Sequence, residues 1–243
     1  MILVNADDFG RSESINSSIL YAFENKIINR TTMMVNMPFV REAVKCANEK
    51  NITDRIGLHL TLDEGRPITE NIKNIRLFCD TDGSFNGNFR KSKKYFLSLN
   101  DSVVKKSCEE EISAQMQYYR TLGMSLFHID SHHHVHTIPS ILKITAPLAI
   151  DYGFKSMRIR FNMRKTNLVK SVYTRWVNAF ISKKFETTDY FCDSEFLSKK
   201  PNGIAEYEIM CHPDIIDGRY VDFIGERSAG VFYDLSHIEF LLK

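Results

Sequence analysis

The sequence predicts an α/β fold, a (β/α) TIM-like barrel of about seven parallel strands that is closed or nearly closed. Short β-rich runs alternate with helix-patterned runs along the whole chain, which is typical of βα units that build a parallel sheet. The length of 243 residues lies in the range in which such barrels form one unit. We therefore expect residues 1–243 to form a single domain.

Seven segments are predicted as strands because they are short, rich in apolar or β-branched residues, and followed by polar or turn-forming residues. They are Ile2–Ala6, Thr32–Asn36, Arg55–Leu60, Leu126–Asp130, Met157–Phe161, a short segment near Tyr190, and Glu206–Cys211.

Four segments between these strands carry apolar residues at helical spacing. In the first, Ile15, Ile19 and Ala22 repeat on one face, and Ser12 or Ser14 is placed to cap the helix. The other three run over 101–123, 139–153 and 168–180. Residues 66–100 show turn signals and little periodicity, so we expect an insertion there that covers an active site.

Composition excludes several classes of protein. Lys and Arg number 32 and Asp and Glu 30, a net charge of +2, so a nucleic-acid partner is not expected. Five cysteines without a C-x-x-C pair argue against a disulfide framework and a thiolate zinc site. The amino terminus lacks signal-peptide features, and no apolar run approaches the roughly 20 residues of a transmembrane segment. We expect a cytoplasmic protein.

The strongest chemical signal is a histidine-rich run, because five of the eight histidines lie within residues 128–136. Strand alternation would place His128, Asp130 and His132 on one face of a strand end, where barrel enzymes keep their catalytic groups. Burying several polar rings together without partners is costly. At least one of these histidines is therefore expected to bind a metal.

A second signal is the adjacent pair Asp7 and Asp8 at the end of the first predicted strand. Two neighbouring carboxylates repel unless a cation or a proton relieves them. One of them is expected to bind a metal and the other to act as a general base. His59, at another strand end, would complete two imidazoles and one carboxylate, a set that suits a divalent Lewis acid.

His212 follows the last predicted strand and precedes a proline, so it lies in a loop with a proton that titrates near neutral pH. If His212 has a catalytic role, we expect it to act as a general acid.

Two other functions use similar residues. Two histidines and one carboxylate also bind iron in non-haem oxygenases, although a second, adjacent carboxylate favours hydrolysis. A histidine-rich run can also store metal or mediate interactions, which would require neither Asp7 nor His212. A metal-dependent hydrolase acting on a different substrate is a further alternative.

The motifs together resemble the YdjC family of carbohydrate deacetylases, also described as chitooligosaccharide deacetylases. The resemblance covers almost the whole chain and rests on Asn5-Ala6-Asp7-Asp8-Phe9-Gly10, Thr31-Thr32 with Val35-Asn36, Gly57-Leu58-His59-Leu60, the run from His128 to His136, and Met210-Cys211-His212-Pro213.

The resemblance implies a distorted (β/α) barrel, a divalent metal, and hydrolysis of the amide C–N bond of an N-acetylated amino sugar with release of acetate. The substrate would be an oligosaccharide or glycoconjugate that contains N-acetylglucosamine. The ion would be Mg²⁺ or Zn²⁺, with Mn²⁺ and Co²⁺ as alternatives. A homodimer follows from the family by analogy. The chain ends at Lys243, earlier than relatives usually do, so the barrel is expected to be incomplete.

Carried over by position, Asp8, His59 and His132 resemble the family's metal ligands. Asp7 resembles the catalytic base and His212 the acid. Arg158 matches a strand-end arginine that orients the base or grips substrate. Asp130 and His128 are expected to support His132 or His212 from behind, and Asn36 to support the site or contact substrate.

Overall fold

The computed structural model describes residues 1–163, 166–194, 205–216, 219–223 and 232–234. Seven parallel strands form the central sheet, which curls into a half-barrel. In chain order they are β1 (Ile2–Phe9), β2 (Arg30–Met33), β3 (Ile56–Leu60), β4 (His128–Ser131), β5 (Ser156–Met157), β6 (Tyr190–Asp193) and β7 (Tyr207–Cys211). Their order across the sheet is β5-β4-β3-β2-β1-β7-β6. The predicted incomplete α/β barrel is confirmed.

Two predicted strands end earlier in the structure than predicted. The segment expected at Thr32–Asn36 ends at Met33, because the chain then turns and Met37 N–H donates to Met34 O at 3.3 Å. The segment expected at Met157–Phe161 forms a strand only over Ser156–Met157. This strand, β5, lies at the edge of the sheet, where β4 is its one neighbour among the described strands. Arg158 therefore lies just beyond a strand end.

Seven α-helices lie in the described part of the chain: α1 (Glu13–Glu24), α2 (Val40–Glu49), α3 (Glu70–Lys73), α4 (Asn88–Lys91), α5 (Ser102–Thr121), α6 (Pro139–Asp151) and α7 (Leu168–Ser182). Short 3₁₀ turns cover Thr53–Arg55 and His132–Thr137. Ser12 caps α1, since its hydroxyl accepts a hydrogen bond from Ile15 N–H at 3.2 Å. The four predicted helices are present as α1, α5, α6 and α7, whereas α2, α3 and α4 were not predicted.

The segment 66–100, which contains α3 and α4, is attached to α5 by a buried carboxylate. Glu111 accepts hydrogen bonds from Ile68 N–H at 3.0 Å and Thr69 N–H at 2.8 Å. These bonds satisfy amides at the start of α3 that have no partner within the helix. That this segment is an insertion within a single domain stays a prediction.

After β7 the chain continues into three antiparallel strands, β8 (Pro213–Ile216), β9 (Arg219–Phe223) and β10 (Phe232–Asp234). The sequence did not predict this small sheet. The chain end at Lys243, on which the expected lack of closure partly rested, lies outside the described residues. Among the helices the structure describes, none is long and apolar enough to cross a membrane.

Candidate metal centre and active site

The predicted site residues meet at the carboxyl edge of the parallel sheet. His59 of β3 pairs in register with Asp130 of β4, and Ala6 of β1 pairs with Cys211 of β7. Asp7 and His212, each one residue further along, therefore lie beside each other at the same edge. Parallel strand register thus brings together residues that are distant in the sequence.

A β-bulge in β1 turns both adjacent carboxylates toward this edge. Ala6 pairs with Thr31 and Phe9 with Met33, so an extra residue lies between the two pairs on β1. Asp8 there adopts the left-handed conformation, with φ of 73°. In a regular strand the two side chains would point to opposite faces of the sheet. The bulge instead lets Asp7 contact Arg158 while Asp8 contacts two histidines.

Asp8, His59 and His132 form a buried cluster of donor atoms. Asp8 Oδ1 lies 3.2 Å from His59 Nε2 and 3.1 Å from His132 Nδ1. One ligand atom of each residue lies within 4.8 Å of the others. Burial alone would raise the pKa of Asp8, but the two imidazoles hold it well below its ordinary value. An ionised carboxylate beside two imidazoles matches the donor set that divalent metals prefer.

His59 is held from behind by Asp130. Its Nδ1 lies 2.7 Å from Asp130 Oδ1, and Thr32 Oγ1 donates to Asp130 Oδ2 at 3.0 Å. Burial alone would lower the pKa of His59, but Asp130 and Asp7 raise it to about 10. We expected Asp130 to support His132 or His212. That partner was wrong, because the Asp130 carboxylate contacts His59 instead.

Arg158 fixes Asp7 in place. Its Nη1 and Nη2 each donate to one carboxylate oxygen of Asp7 at 2.8 Å, and Asn5 Nδ2 donates to Asp7 Oδ1 at 2.8 Å. Burial alone would raise the pKa of Asp7, but the charge of Arg158 outweighs it and the pKa is lowered. Arg158 Nε donates to Glu208 at 2.7 Å, and Nη2 lies 2.7 Å from Asp130 Oδ2. One buried guanidinium thus joins three carboxylates.

His212 follows β7 and is half-buried. Its backbone N–H donates to Asp222 Oδ1 at 2.6 Å, and its ring Nδ1 lies 3.8 Å from the same oxygen. Burial alone would lower the pKa of His212, but Asp222 and then Asp7 raise it. A raised pKa favours the protonated form of the imidazole, which is the form a general acid needs.

The other histidines of the run have separate surroundings. His128 Nδ1 lies 2.9 Å from Ser156 Oγ, and burial lowers the pKa of His128 to about 3. His133 and His134 adopt left-handed conformations, with φ of 47° and 56°. His133 Nδ1 lies 2.8 Å from Asp63, and His136 Nε2 donates to the Arg158 carbonyl at 2.9 Å. Of the run, His132 is the residue that joins Asp8 and His59.

Asn36 supports a neighbouring loop. Its Nδ2 donates to the carbonyl oxygens of Glu64 at 3.0 Å and Arg66 at 3.2 Å. Glu64 and Arg11, which the sequence analysis did not select, contact the cluster directly: Glu64 Oε2 lies 2.8 Å from His132 Nε2, and Arg11 Nη1 lies 3.1 Å from Asp8 Oδ2. In the sequence, the adjacent acidic residues Asp63 and Glu64 just before Gly65 could have indicated that Glu64 belongs to the site.

Comparisons with known proteins identify the family of this chain. The YdjC-like protein family matches residues 1–229. A carbohydrate deacetylase from Halalkalibacterium halodurans is 33% identical over 242 residues, covering 100% of this chain and 95% of that protein. One from Clostridium beijerinckii is 32% identical over 223 residues, covering 90% of this chain and 83% of that protein.

A solved structure supports the fold. It is that of an Enterococcus faecalis protein named as a candidate for cellobiose-phosphate cleavage, with a TM-score of 0.68 and 25% identity. The alignment covers 89% of this chain and 82% of that one. The family match spans the strand ends that carry Asp8, His59, His132 and His212. The chain therefore belongs to the YdjC-like protein family.

Proposed function

We propose that the protein is a carbohydrate deacetylase, a metal-dependent hydrolase that removes the acetyl group from an N-acetylated amino sugar and releases acetate. The deacetylase class is supported by relatives of that name that align over most of the chain. The observation that carries metal dependence is the buried Asp8, His59 and His132 cluster beside the ionised Asp7. The five unpaired cysteines support a cytoplasmic location.

One divalent ion would be held by Asp8 Oδ1, His59 Nε2 and His132 Nδ1, the three atoms that face one another. A bound ion supplies a Lewis acid, which polarises an acyl carbonyl and makes a water molecule more acidic. Zn²⁺, Mg²⁺, Mn²⁺ and Co²⁺ all accept such donors.

The remaining residues carry out proton transfer. Asp7, held by Arg158, takes a proton from the attacking water. His212 then protonates the departing amine nitrogen, since an unprotonated amide nitrogen is a poor leaving group. The products are acetate and a free amino sugar in equal amounts.

The test is to incubate the metal-loaded protein with N-acetylglucosamine oligosaccharides and measure acetate, free amine and new reducing ends together. Equal amounts of acetate and amine, without reducing ends, are expected. Acetate without amine would indicate an O-deacetylase. Reducing ends without acetate would indicate glycosidic cleavage, the activity named for the Enterococcus faecalis relative. Either result would overturn the proposed reaction.

A further inference from the structure

Each of the three donor groups has a second polar atom, and a neighbouring side chain lies against that atom. Arg11 contacts Asp8 Oδ2 at 3.1 Å, and Asp130 contacts His59 Nδ1 at 2.7 Å. The corresponding neighbour of His132 is Glu64, whose Oε2 lies 2.8 Å from His132 Nε2, although this buried nitrogen makes no aligned hydrogen bond to any described residue. Each of these second polar atoms therefore has a charged side chain within 3.1 Å of it.

Glu64 is also joined to Asp8 through Arg11. Arg11 Nε donates to Glu64 Oε1 at 2.7 Å, while Arg11 Nη1 donates to Asp8 Oδ2 at 3.1 Å. One carboxylate oxygen of Glu64 therefore fixes Arg11 and the other faces His132. Arg11 and Glu64 together therefore connect two of the three donor residues, Asp8 and His132.

The backbone around Glu64 is held by hydrogen bonds and by close packing. Asn36 Nδ2 donates to the Glu64 carbonyl at 3.0 Å. Gly65 adopts a φ of 76°, and a Cβ built there would lie 2.6 Å from Met37 Sδ. Phe85 N–H donates to the Gly65 carbonyl at 2.9 Å. These contacts fix the backbone of the loop from which the Glu64 side chain reaches His132.

We propose that Glu64 is a positioning residue that, once a metal ion is bound, accepts the Nε2–H of His132 and so directs the Nδ1 lone pair toward that ion. A neutral imidazole has one N–H and one lone pair, so the partner of one nitrogen determines the role of the other. His59 donates through Nδ1 to Asp130 and presents Nε2. The two histidines therefore bind the ion through opposite ring nitrogens.

This inference rests on the metal site in the proposed function, and its first test measures metal affinity. Dissociation constants for Zn²⁺ are measured by competition with a chromophoric chelator for the wild type, Glu64→Gln and Glu64→Ala. Loss of such a carboxylate partner typically weakens metal binding by about 10- to 100-fold. Glu64→Ala should show this loss, and Glu64→Gln, whose amide oxygen still accepts a hydrogen bond, should lose less.

Glu70→Ala is the matched control, because Glu70 is an acidic residue close to Glu64 in the sequence and its side chain is 83% exposed. Glu64 is itself about one-third exposed, with a side-chain value of 32%, so its variants are expected to fold. Thermal unfolding of the three variants verifies this. Unchanged affinity in Glu64→Ala would overturn the proposal.

A second readout is the tautomer of His132 in the Zn²⁺-loaded protein, measured by long-range ¹H–¹⁵N NMR. We expect the proton on Nε2 of His132 and on Nδ1 of His59. A proton on Nδ1 of His132 would overturn the proposal. Neither readout requires acetate release, so the two proposals can fail separately. If the wild type is inactive on every sugar but Glu64→Ala still weakens Zn²⁺ binding, the deacetylase proposal is refuted and this inference stands.

Discussion

Arg158 donates one hydrogen bond of 2.8 Å to each carboxylate oxygen of Asp7. This paired geometry keeps Asp7 ionised and fixes its plane. Because Arg158 also lies 2.7 Å from Asp130, which holds His59, one buried guanidinium sets the position of both the proposed base and a proposed metal ligand.

Asp7→Asn is expected to lower kcat/KM by about 100- to 10,000-fold, the usual loss when a general base is removed. Metal affinity should stay close to that of the wild type, because Asp7 is not one of the three proposed ligands. Acetate-release kinetics and metal titration of the same sample check both statements. A kcat/KM within about twofold of the wild type would show that Asp7 is not the base.

Asp130→Asn is expected to weaken divalent-metal binding by about 10- to 100-fold, because His59 loses the carboxylate that holds its Nδ1 at 2.7 Å. His128→Asn is the matched control on the same strand, since His128 contacts Ser156 in the structure and Asn can keep a hydrogen bond there. Metal titration distinguishes the two variants. If both variants weakened metal binding equally, the effect would come from disturbing strand β4 and not from losing the contact with His59.

Gly65→Ala is expected to destabilise the loop that carries Glu64. A left-handed conformation costs a non-glycine residue roughly 1–2 kcal/mol, and here the new Cβ would also lie 2.6 Å from Met37 Sδ. Gly123→Ala is the control, because Gly123 has a φ of 77° but no atom within 4 Å of the new Cβ. Urea unfolding should therefore show the larger loss for Gly65→Ala. Equal losses would contradict the close packing of this loop.

Glu208 should make the fold sensitive to acid. Burial alone would raise the pKa of Glu208, but Arg158 and Arg30 lower it from 4.5 to about 2. Because the pKa of Glu208 is lower in the folded state than in the unfolded state, its ionised carboxylate stabilises the fold. This contribution to the unfolding free energy is complete above pH 4.5 and is lost as the pH falls toward 2.

Glu208→Gln resembles the protonated form, so it should be less stable than the wild type at pH 7. The difference in unfolding free energy should shrink as the pH falls below 4.5. Urea unfolding at several pH values measures this difference. A difference that stayed constant with pH would contradict the ionised state of Glu208.

The strand ends that carry chemistry were predictable, because alternation and the order of motifs locate them along the chain. The orientation of Asp7 and Asp8 was not, since it depends on a bulge that forms only when β1 pairs with β2. Strand alternation also gives no account of His133 and His134, whose left-handed conformations turn the chain after His132. Local sequence patterns do not contain these tertiary constraints.

Contacts between distant segments account for the other omissions. Glu64 meets His132, and Glu208 meets Arg158, only after the half-barrel has curled. Acidic residues are most often solvated surface groups, so neither Glu208 nor the acidic pair ahead of Gly65 was selected from the sequence. The parallel sheet itself was predictable because it follows from the regular alternation of strands and helices.

The most direct test of metal-dependent deacetylation is acetate release from N-acetylglucosamine oligosaccharides by metal-stripped protein, before and after addition of Zn²⁺, Mg²⁺, Mn²⁺ or Co²⁺. The account predicts no acetate from the stripped protein, recovery with at least one ion, and no recovery in a His59→Ala, His132→Ala double variant. Full acetate release by the stripped wild type, or equal recovery in the double variant, would contradict it.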